Sequence, residues 1–123
     1  MTAFGNHLKM DAARSLRAEI RHFYGTLLGC ESLPGPMPDI DLFRFENDVF
    51  VGVFYHDDPA AVLSPPDLVK SAWLEIKTAD PDALKQALLA AGVAAVDFPD
   101  PTRFYFQAPG GQVYRLAPMD GGI

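Results

Sequence analysis

The stretch Arg103-Phe-Tyr-Phe-Gln-Ala-Pro-Gly-Gly-Gln-Val-Tyr-Arg-Leu116, near the end of the chain, predicts a β-hairpin. Two runs rich in aromatic and β-branched residues are joined by a segment that contains Pro109, Gly110 and Gly111. Proline fixes φ where the chain enters the turn, and glycine adopts the positive φ values that a tight reversal needs. The second run ends with Arg115 between two apolar residues, so the direction in which Arg115 points decides much of the functional argument. The sequence leaves the register of this hairpin open.

The composition indicates one globular domain over residues 1–123, since 49% of the residues are hydrophobic and 21% are charged. A net charge of -6 without any run of Lys or Arg argues against nucleic-acid binding. Cys30 is the single cysteine, which excludes an internal disulfide and a cysteine-based zinc site. The first residues do not resemble a signal peptide, and the longest apolar run is too short to span a bilayer. We therefore expect a cytoplasmic protein that binds no membrane.

The first half of the chain alternates between strand and helix patterns. A short strand at about residues 7–10 precedes an amphipathic helix at about 12–28, beside which Tyr24 is expected at the boundary or surface. The apolar stripe of this helix consists of Leu16, Ile20, Phe23 and Leu27. The proline-rich segment 33–38 predicts a loop. Two strands are then expected at about 40–45 and 49–55.

After a connector at about residues 58–70, the same pattern returns. An alternating strand at 73–77 leads to a helix that begins with Asp80 as N-cap and Pro81 at the first helical position. Gly92 is expected to end this helix, and a strand at 93–98 precedes the final hairpin. The chain is thus predicted to contain one unit twice, with one helix and one half-exposed sheet in each copy.

Four segments resemble, in the right order, the glyoxalase/bleomycin resistance/dioxygenase superfamily, also called the vicinal oxygen chelate proteins. They are Phe23-Tyr-Gly-Thr-Leu-Leu-Gly29, Trp73-Leu-Glu-Ile-Lys-Thr-Ala-Asp-Pro-Asp-Ala-Leu84, Ala90-Ala-Gly-Val93 and Phe106-Gln-Ala-Pro-Gly-Gly-Gln-Val-Tyr-Arg-Leu116. The resemblance implies an α+β fold of paired βαβββ modules, whose curled mixed sheet forms an open barrel with the helices on its outer face. Module one would cover about residues 5–57 and module two about 71–118. The resemblance also implies a homodimer.

Members of this superfamily usually bind a divalent metal on the inner face of the barrel, and the resemblance assigns three positions to its ligands. The first falls on His7, with Lys9 competing for it, the second on Trp73 and the third on Arg115. Neither the indole of Trp nor the cationic guanidinium of Arg offers a lone pair to a metal. We therefore expect neither the usual metal site nor another cofactor. A displaced divalent site built from His7, Glu75 and His56 stays open as an alternative.

Alternation along the strands predicts which side chains face the inner cavity. Leu8, Met10, Leu74, Ile76, Tyr114 and Leu116 share the parity expected for the helix-covered face. The opposite parity holds Lys77 and the predicted ligand-binding residues, which are His7, Lys9, Trp73, Glu75 and Arg115. In one hypothesis Arg115 binds an anionic or polar group of a small molecule and Trp73 stacks on its body. In the other, Arg115 pairs with Glu75 and Trp73 fills the space that a metal would otherwise take.

These patterns favour a metal-independent protein that binds or sequesters a small molecule, of the resistance-protein type. Two alternatives remain. One is an enzyme, either a lyase, an isomerase or a dioxygenase-like protein, that uses an unusual metal site, with Glu75 as a hypothetical general base. The other is a non-catalytic interaction module with a vestigial pocket. The sequence assigns no catalytic residue, because no serine or cysteine occurs in a nucleophile pattern.

Overall fold

The computed structural model describes residues 6–57 and 72–120. The chain divides into two compact units, Met1–Ala60 and Ala61–Ile123, and each is described by itself. The predicted connector at about 58–70 lies outside the described residues.

The first unit contains a four-stranded mixed sheet in the order β1-β4-β3-β2. Its strands are β1 (His7–Ala13), β2 (Glu31–Pro34), β3 (Ile40–Arg44) and β4 (Phe50–His56). Strand β1 runs parallel to β4, while β3 is antiparallel to both of its neighbours. Strand β2 was not predicted, because the prolines of the segment 33–38 indicated a loop throughout. The strand forms at the edge of the sheet, where proline is tolerated because one side of the strand needs no hydrogen-bond partner.

The helical segment of the first unit is shorter and less regular than the predicted helix. A 3-10 turn at Arg14–Leu16 leads into helix α1 (Arg17–Arg21), which continues as a π-helical stretch over His22–Leu27. The expected surface position of Tyr24 is wrong, because its side chain is completely buried. Widening of the last turns rotates side chains away from the 3.6-residue spacing on which the prediction relied. Tyr24 stacks on Phe43 with 5.0 Å between ring centroids, which holds the helical segment against the sheet.

The second unit repeats this arrangement with a sheet in the order β5-β8-β7-β6. Its strands are β5 (Trp73–Thr78), β6 (Ala94–Ala95), β7 (Tyr105–Gln107) and β8 (Val113–Pro118). Helix α2 (Pro81–Ala90) starts as predicted, since the Asp80 carboxylate accepts a hydrogen bond from the Ala83 amide at 3.0 Å. Two copies of a βαβββ module with mixed sheets confirm the predicted α+β class. The predicted strand at 93–98 is reduced to the two residues of β6.

The final hairpin forms where the sequence placed it, and its register is now known. Tyr105 lies opposite Arg115, and Phe106 lies opposite Tyr114. Gly110 and Gly111 both have positive φ, at 95° and 110°, as the tight reversal requires. Phe106 and Tyr114 are buried, so this register directs them into the core of the second unit. Tyr105 and Arg115 therefore share the opposite face of the sheet.

Two further features of the described residues bear on the class of protein. Between residues 6 and 57 and between 72 and 120, no helix has the length and apolar character needed to cross a membrane. Cys30 is buried, and burial raises the pKa of its thiol to about 11. The thiolate form needed for nucleophilic chemistry is therefore strongly disfavoured near neutral pH.

Candidate functional site

The candidate site of the second unit is centred on an ion pair between neighbouring strands. The parallel pairing of β5 with β8 places Glu75 directly beside Arg115. Both Nε and Nη2 of Arg115 contact Oε2 of Glu75, at 2.8 and 2.7 Å. The side chains are only 17% and 23% exposed, so the pair is shielded from solvent more than an ordinary surface ion pair. The structure thus shows the second sequence-based alternative, in which Arg115 pairs with Glu75.

Aromatic side chains surround the guanidinium of Arg115. Its Cζ atom lies 4.3 Å from the ring centroid of Trp73, which is the geometry of a cation–π contact. Tyr105 meets Trp73 edge-on at 5.7 Å and stacks on Phe98 at 4.4 Å. Phe98 also meets Trp73 edge-on, at 6.4 Å. We call Trp73, Phe98 and Tyr105 the aromatic cluster. Since each ring is held by two others, the cluster is a fixed apolar wall beside a charged pair.

Asp100 adds a second carboxylate to this site. The Tyr105 hydroxyl donates a hydrogen bond to Oδ2 of Asp100 at 3.0 Å, and Nη1 of Arg115 lies 3.9 Å from the same oxygen. Hydrogen bonds from the side chain and backbone of Thr102, with that of Tyr105, lower the pKa of Asp100. Asp100 is therefore ionised at neutral pH. Together Glu75, Asp100 and Arg115 carry two negative charges and one positive charge.

The two contacts from Arg115 to Oε2 of Glu75 leave other hydrogen-bonding atoms of this pair unused. Nη1 of Arg115 donates a long and weak hydrogen bond to the Tyr105 hydroxyl, at 3.5 Å, and lies 3.9 Å from Oδ2 of Asp100. Among the residues that the structure describes, Oε1 of Glu75 accepts no hydrogen bond. Contacts with Tyr105 and Glu75 raise the pKa of Arg115, so its guanidinium stays charged. The pair can therefore offer one donor edge and one acceptor oxygen to a bound molecule without separating.

The two predicted site residues of the first unit make contacts within that unit. His7 stacks on Phe50 with 5.0 Å between ring centroids. Nζ of Lys9 contacts the carboxylate of Asp11 at 2.5 Å and lies 5.3 Å from the ring centroid of Phe54. These side chains share one face of sheet β1-β4-β3-β2, since they alternate along β1 with Met10, which contacts Tyr24 of the helical segment. The structure thus brings together Trp73, Glu75 and Arg115, and separately places His7 and Lys9 on the exposed face of their own sheet.

No protein-family model matches the chain, and no curated protein is significantly similar to it in sequence. Solved structures match over nearly the whole chain. A protein assigned to the glyoxalase family from Bacillus anthracis has 21% identity and a TM-score of 0.69, with 96% of each chain covered. The fosfomycin resistance protein FosX from Listeria monocytogenes has 12% identity and a TM-score of 0.72, covering 100% of this chain and 97% of its own.

The trypanothione-dependent glyoxalase I of Leishmania major matches with 16% identity and a TM-score of 0.70, covering 95% of this chain and 87% of that protein. Together these matches extend over both βαβββ modules. The chain has the vicinal oxygen chelate fold. The resemblance stated from the sequence motifs is thereby confirmed at the level of the fold.

Two of the three positions expected for metal ligands in this fold hold residues that cannot bind a metal. Trp73 and Arg115 lack a lone pair, and the cation of Arg115 lies 2.7 Å from Glu75, the carboxylate invoked for a displaced site. A metal bound by Glu75 would have to share this oxygen with a guanidinium or displace it. Of the two histidines proposed with it, His56 contacts Asp11 at 2.7 Å and His7 stacks on Phe50. Within residues 6–57 and 72–120, no three His, Cys, Asp or Glu side chains form a group that could hold a metal ion.

Sequence reasoning missed three residues of the site, Phe98, Asp100 and Tyr105. Tyr105 could not be assigned because the register of the hairpin was open. A shift of one residue would have placed Phe106 on this face instead. Phe98 and Asp100 were predicted as a strand end and a turn, and no periodic signal indicates the direction of side chains in such a segment. The sole signal for Asp100 is its spacing from Thr102, which is typical of an Asx turn.

Proposed function

We propose that this protein is a metal-independent small-molecule-binding or sequestering protein with the glyoxalase/bleomycin resistance fold. The observation that carries the proposal is the Arg115 guanidinium, which Glu75 fixes in position over Trp73 beside the aromatic cluster. A flat apolar ligand would pack against the aromatic cluster, and its polar group would contact Nη1 of Arg115 or Oε1 of Glu75. The fosfomycin resistance protein of the same fold supports a role of the resistance type.

The charges of the site favour one kind of polar group over another. Glu75 and Asp100 together outweigh Arg115, so a cationic or hydrogen-bond-donating group meets a net negative environment. An anionic group would have to compete with Glu75 for the guanidinium. Hydrophobic amines are therefore the first class of ligand that we propose, and small anions are the second. We also propose that His7 and Lys9, which lie on the exposed face of their own sheet, contribute contacts to a small-molecule ligand.

We expect hydrophobic aromatic amines to quench or shift the fluorescence of Trp73, the only tryptophan of the chain. A screen of such amines, with aromatic carboxylates and phosphonates as a second arm, would detect the change directly at the proposed site. Glu75→Gln should weaken binding of an amine by about tenfold or more, because it removes the negative charge that the amine contacts, and Arg115→Met should weaken binding of an anion to a similar extent, because it removes the donor. Arg44→Met is the matched control, since Arg44 pairs with Glu31 and Asp48 in the first unit.

Two results would contradict this proposal. One is equal binding by wild type and by the variant that removes the charged partner of the hit, Glu75→Gln for an amine or Arg115→Met for an anion, since the polar group would then lie elsewhere. The other is tight stoichiometric Mn, Zn or Fe, measured by elemental analysis after each metal is offered, that is lost in Glu75→Ala. That outcome would support the enzyme alternative with an unusual metal site. If no amine or anion binds, and if substitutions at Trp73 and Arg115 change only the stability of the protein, the result would favour the non-catalytic interaction module with a vestigial pocket.

We also propose that the protein is a homodimer, as the resemblance implies. Sedimentation equilibrium is expected to give twice the 13.4 kDa mass of one chain at micromolar concentration. A mass of one chain over the whole concentration range would refute the dimer without affecting the ligand proposal.

A further inference from the structure

The first unit contains a groove that is lined only by its own residues. It has a volume of about 660 Å³ and is open to solvent. Its lining includes Arg17 and Arg21, Asp41 of strand β3, and the proline-rich segment 34–38. The volume falls within the range that small-molecule sites occupy.

The two arginines of the groove share a single carboxylate. Arg17 and Arg21 lie one helical turn apart, so both guanidiniums reach Asp41. Oδ1 of Asp41 accepts from Nη2 of each arginine at 3.0 Å, and Oδ2 accepts from the two Nε atoms at 3.3 and 2.9 Å. Oδ2 also accepts the hydroxyl of Tyr55 at 2.8 Å. Five donors thus converge on one carboxylate.

The residues that line the groove carry a net charge of +1. The charged residues that line the groove are two arginines and one aspartate. Asp39 and Asp57 do not line it and are engaged by Arg14. Two guanidiniums at this spacing repel each other, and a second anion would relieve that repulsion.

The outer edges of both guanidiniums are available to such an anion. Each arginine uses Nε and Nη2 for Asp41, and Arg17 also donates from Nη2 to the Pro38 carbonyl at 2.8 Å. Within the described part of the chain, Nη1 of neither arginine has a hydrogen-bond acceptor. The Arg17 side chain is 24% exposed and that of Arg21 is 56% exposed. Arg17 is further fixed by stacking on Tyr55, with Cζ 4.6 Å from the ring centroid.

Apolar side chains supply another part of the groove lining. We call Leu33, Pro34, Pro36 and Met37 the apolar wall, in which Met37 is 59% exposed. The backbone packs closely at Gly35, because a Cβ built on Gly35 would lie 2.2 Å from the Ile40 carbonyl oxygen. An anion bound at the arginines would therefore have its body against a firm apolar surface.

We propose that this groove is a second binding site, which takes an oxyanion, either a carboxylate or a phosphate, attached to a compact apolar body. Nη1 of Arg17 and Nη1 of Arg21 donate to the oxyanion, and Asp41 holds the two guanidiniums in position for it. The apolar body rests on Leu33 and Met37. The site lies within the first unit and does not depend on the ligand proposed for Trp73 and Arg115.

The test follows the arginine Nε–Hε resonances of the full chain by NMR at constant ionic strength. Inorganic phosphate is one probe, and acetate and hexanoate form the other arm. We expect a saturable shift of the Arg17 and Arg21 signals, and hexanoate should bind more tightly than acetate if its chain contacts the apolar wall. A response to phosphate alone would assign the site to phosphate groups, and a response to hexanoate would assign it to apolar carboxylates.

Arg21→Gln is the decisive variant, because Arg21 is the more exposed of the pair and Arg17 still compensates Asp41. It should weaken binding of the responding probe by about tenfold or more, while Arg21→Lys should retain part of the affinity. Arg44→Gln is the matched control, since Arg44 pairs with Glu31 and Asp48 and does not line the groove. Absence of a saturable shift with every probe, or equal affinity in wild type and Arg21→Gln, would overturn the proposal.

Discussion

Asp41→Asn is expected to lower the free energy of unfolding by about 2 to 3 kcal/mol at neutral pH. The Asp41 side chain is 12% exposed and compensates both Arg17 and Arg21. An amide in its place provides one acceptor oxygen without charge, so the part-buried Arg17 and the more exposed Arg21 both lose their counter-ion. Urea denaturation of wild type and variant measures the difference. Asp39→Asn is the matched control and should change stability by less than about 1 kcal/mol, because Asp39 belongs to an exposed pair.

The pH dependence of the same variant provides a second readout. Burial opposes ionisation of Asp41, but hydrogen bonds from Arg21, Arg17 and Tyr55 outweigh it and lower its pKa from 3.8 to about 2. A carboxyl whose pKa is lower in the folded state stabilises the fold above the unfolded pKa, and this stabilisation is lost as pH falls through the folded pKa. The difference between wild type and Asp41→Asn should therefore be complete above about pH 4 and shrink towards about pH 2. A constant difference over this range would contradict the assigned role of the carboxylate.

The second large effect is expected at the Glu75–Arg115 pair. Arg115→Met should lower stability by about 2 kcal/mol, because it leaves a shielded carboxylate unpaired and removes the cation from Trp73. Glu75→Gln should cost about 1 to 2 kcal/mol, since the guanidinium keeps its stacking and its contact with Tyr105. The double variant should lose less than the sum, with a coupling energy of about 1 to 2 kcal/mol.

A double-mutant cycle by urea denaturation measures this coupling directly. Glu31→Gln with Arg44→Met is the matched cycle, because these residues form a more exposed ion pair across β2 and β3. The exposed pair should show a smaller coupling energy, which decreases with added salt. Strictly additive effects at Glu75 and Arg115 would mean that the observed fork contributes no net stability. In that case, the guanidinium would be held mainly by its stacking on Trp73.

Much of the fold could be predicted because its signals are local. The Asp80–Pro81 start of helix α2 and the turn at Gly110 and Gly111 follow from backbone chemistry that does not depend on distant contacts. The repeated alternation of strand and helix patterns then indicated two modules. Strand β2 and the burial of Tyr24 could not be predicted in this way. The proline of β2, Pro34, is tolerated because that strand lies at an edge, and Tyr24 is buried because the helical segment widens over His22–Leu27.

The sequence by itself determined which charged side chains the candidate site contains, and that Trp73 and Arg115 at two expected ligand positions cannot bind a metal. Trp73 and Arg115 cannot donate a lone pair in any conformation, so this conclusion needed no coordinates. Only the tertiary structure decided what Arg115 contacts. The parallel register of β5 and β8 places Glu75 beside it, and the register of the hairpin adds Tyr105. A register depends on how whole strands pack, and a shift of one residue would have placed different side chains around the same guanidinium.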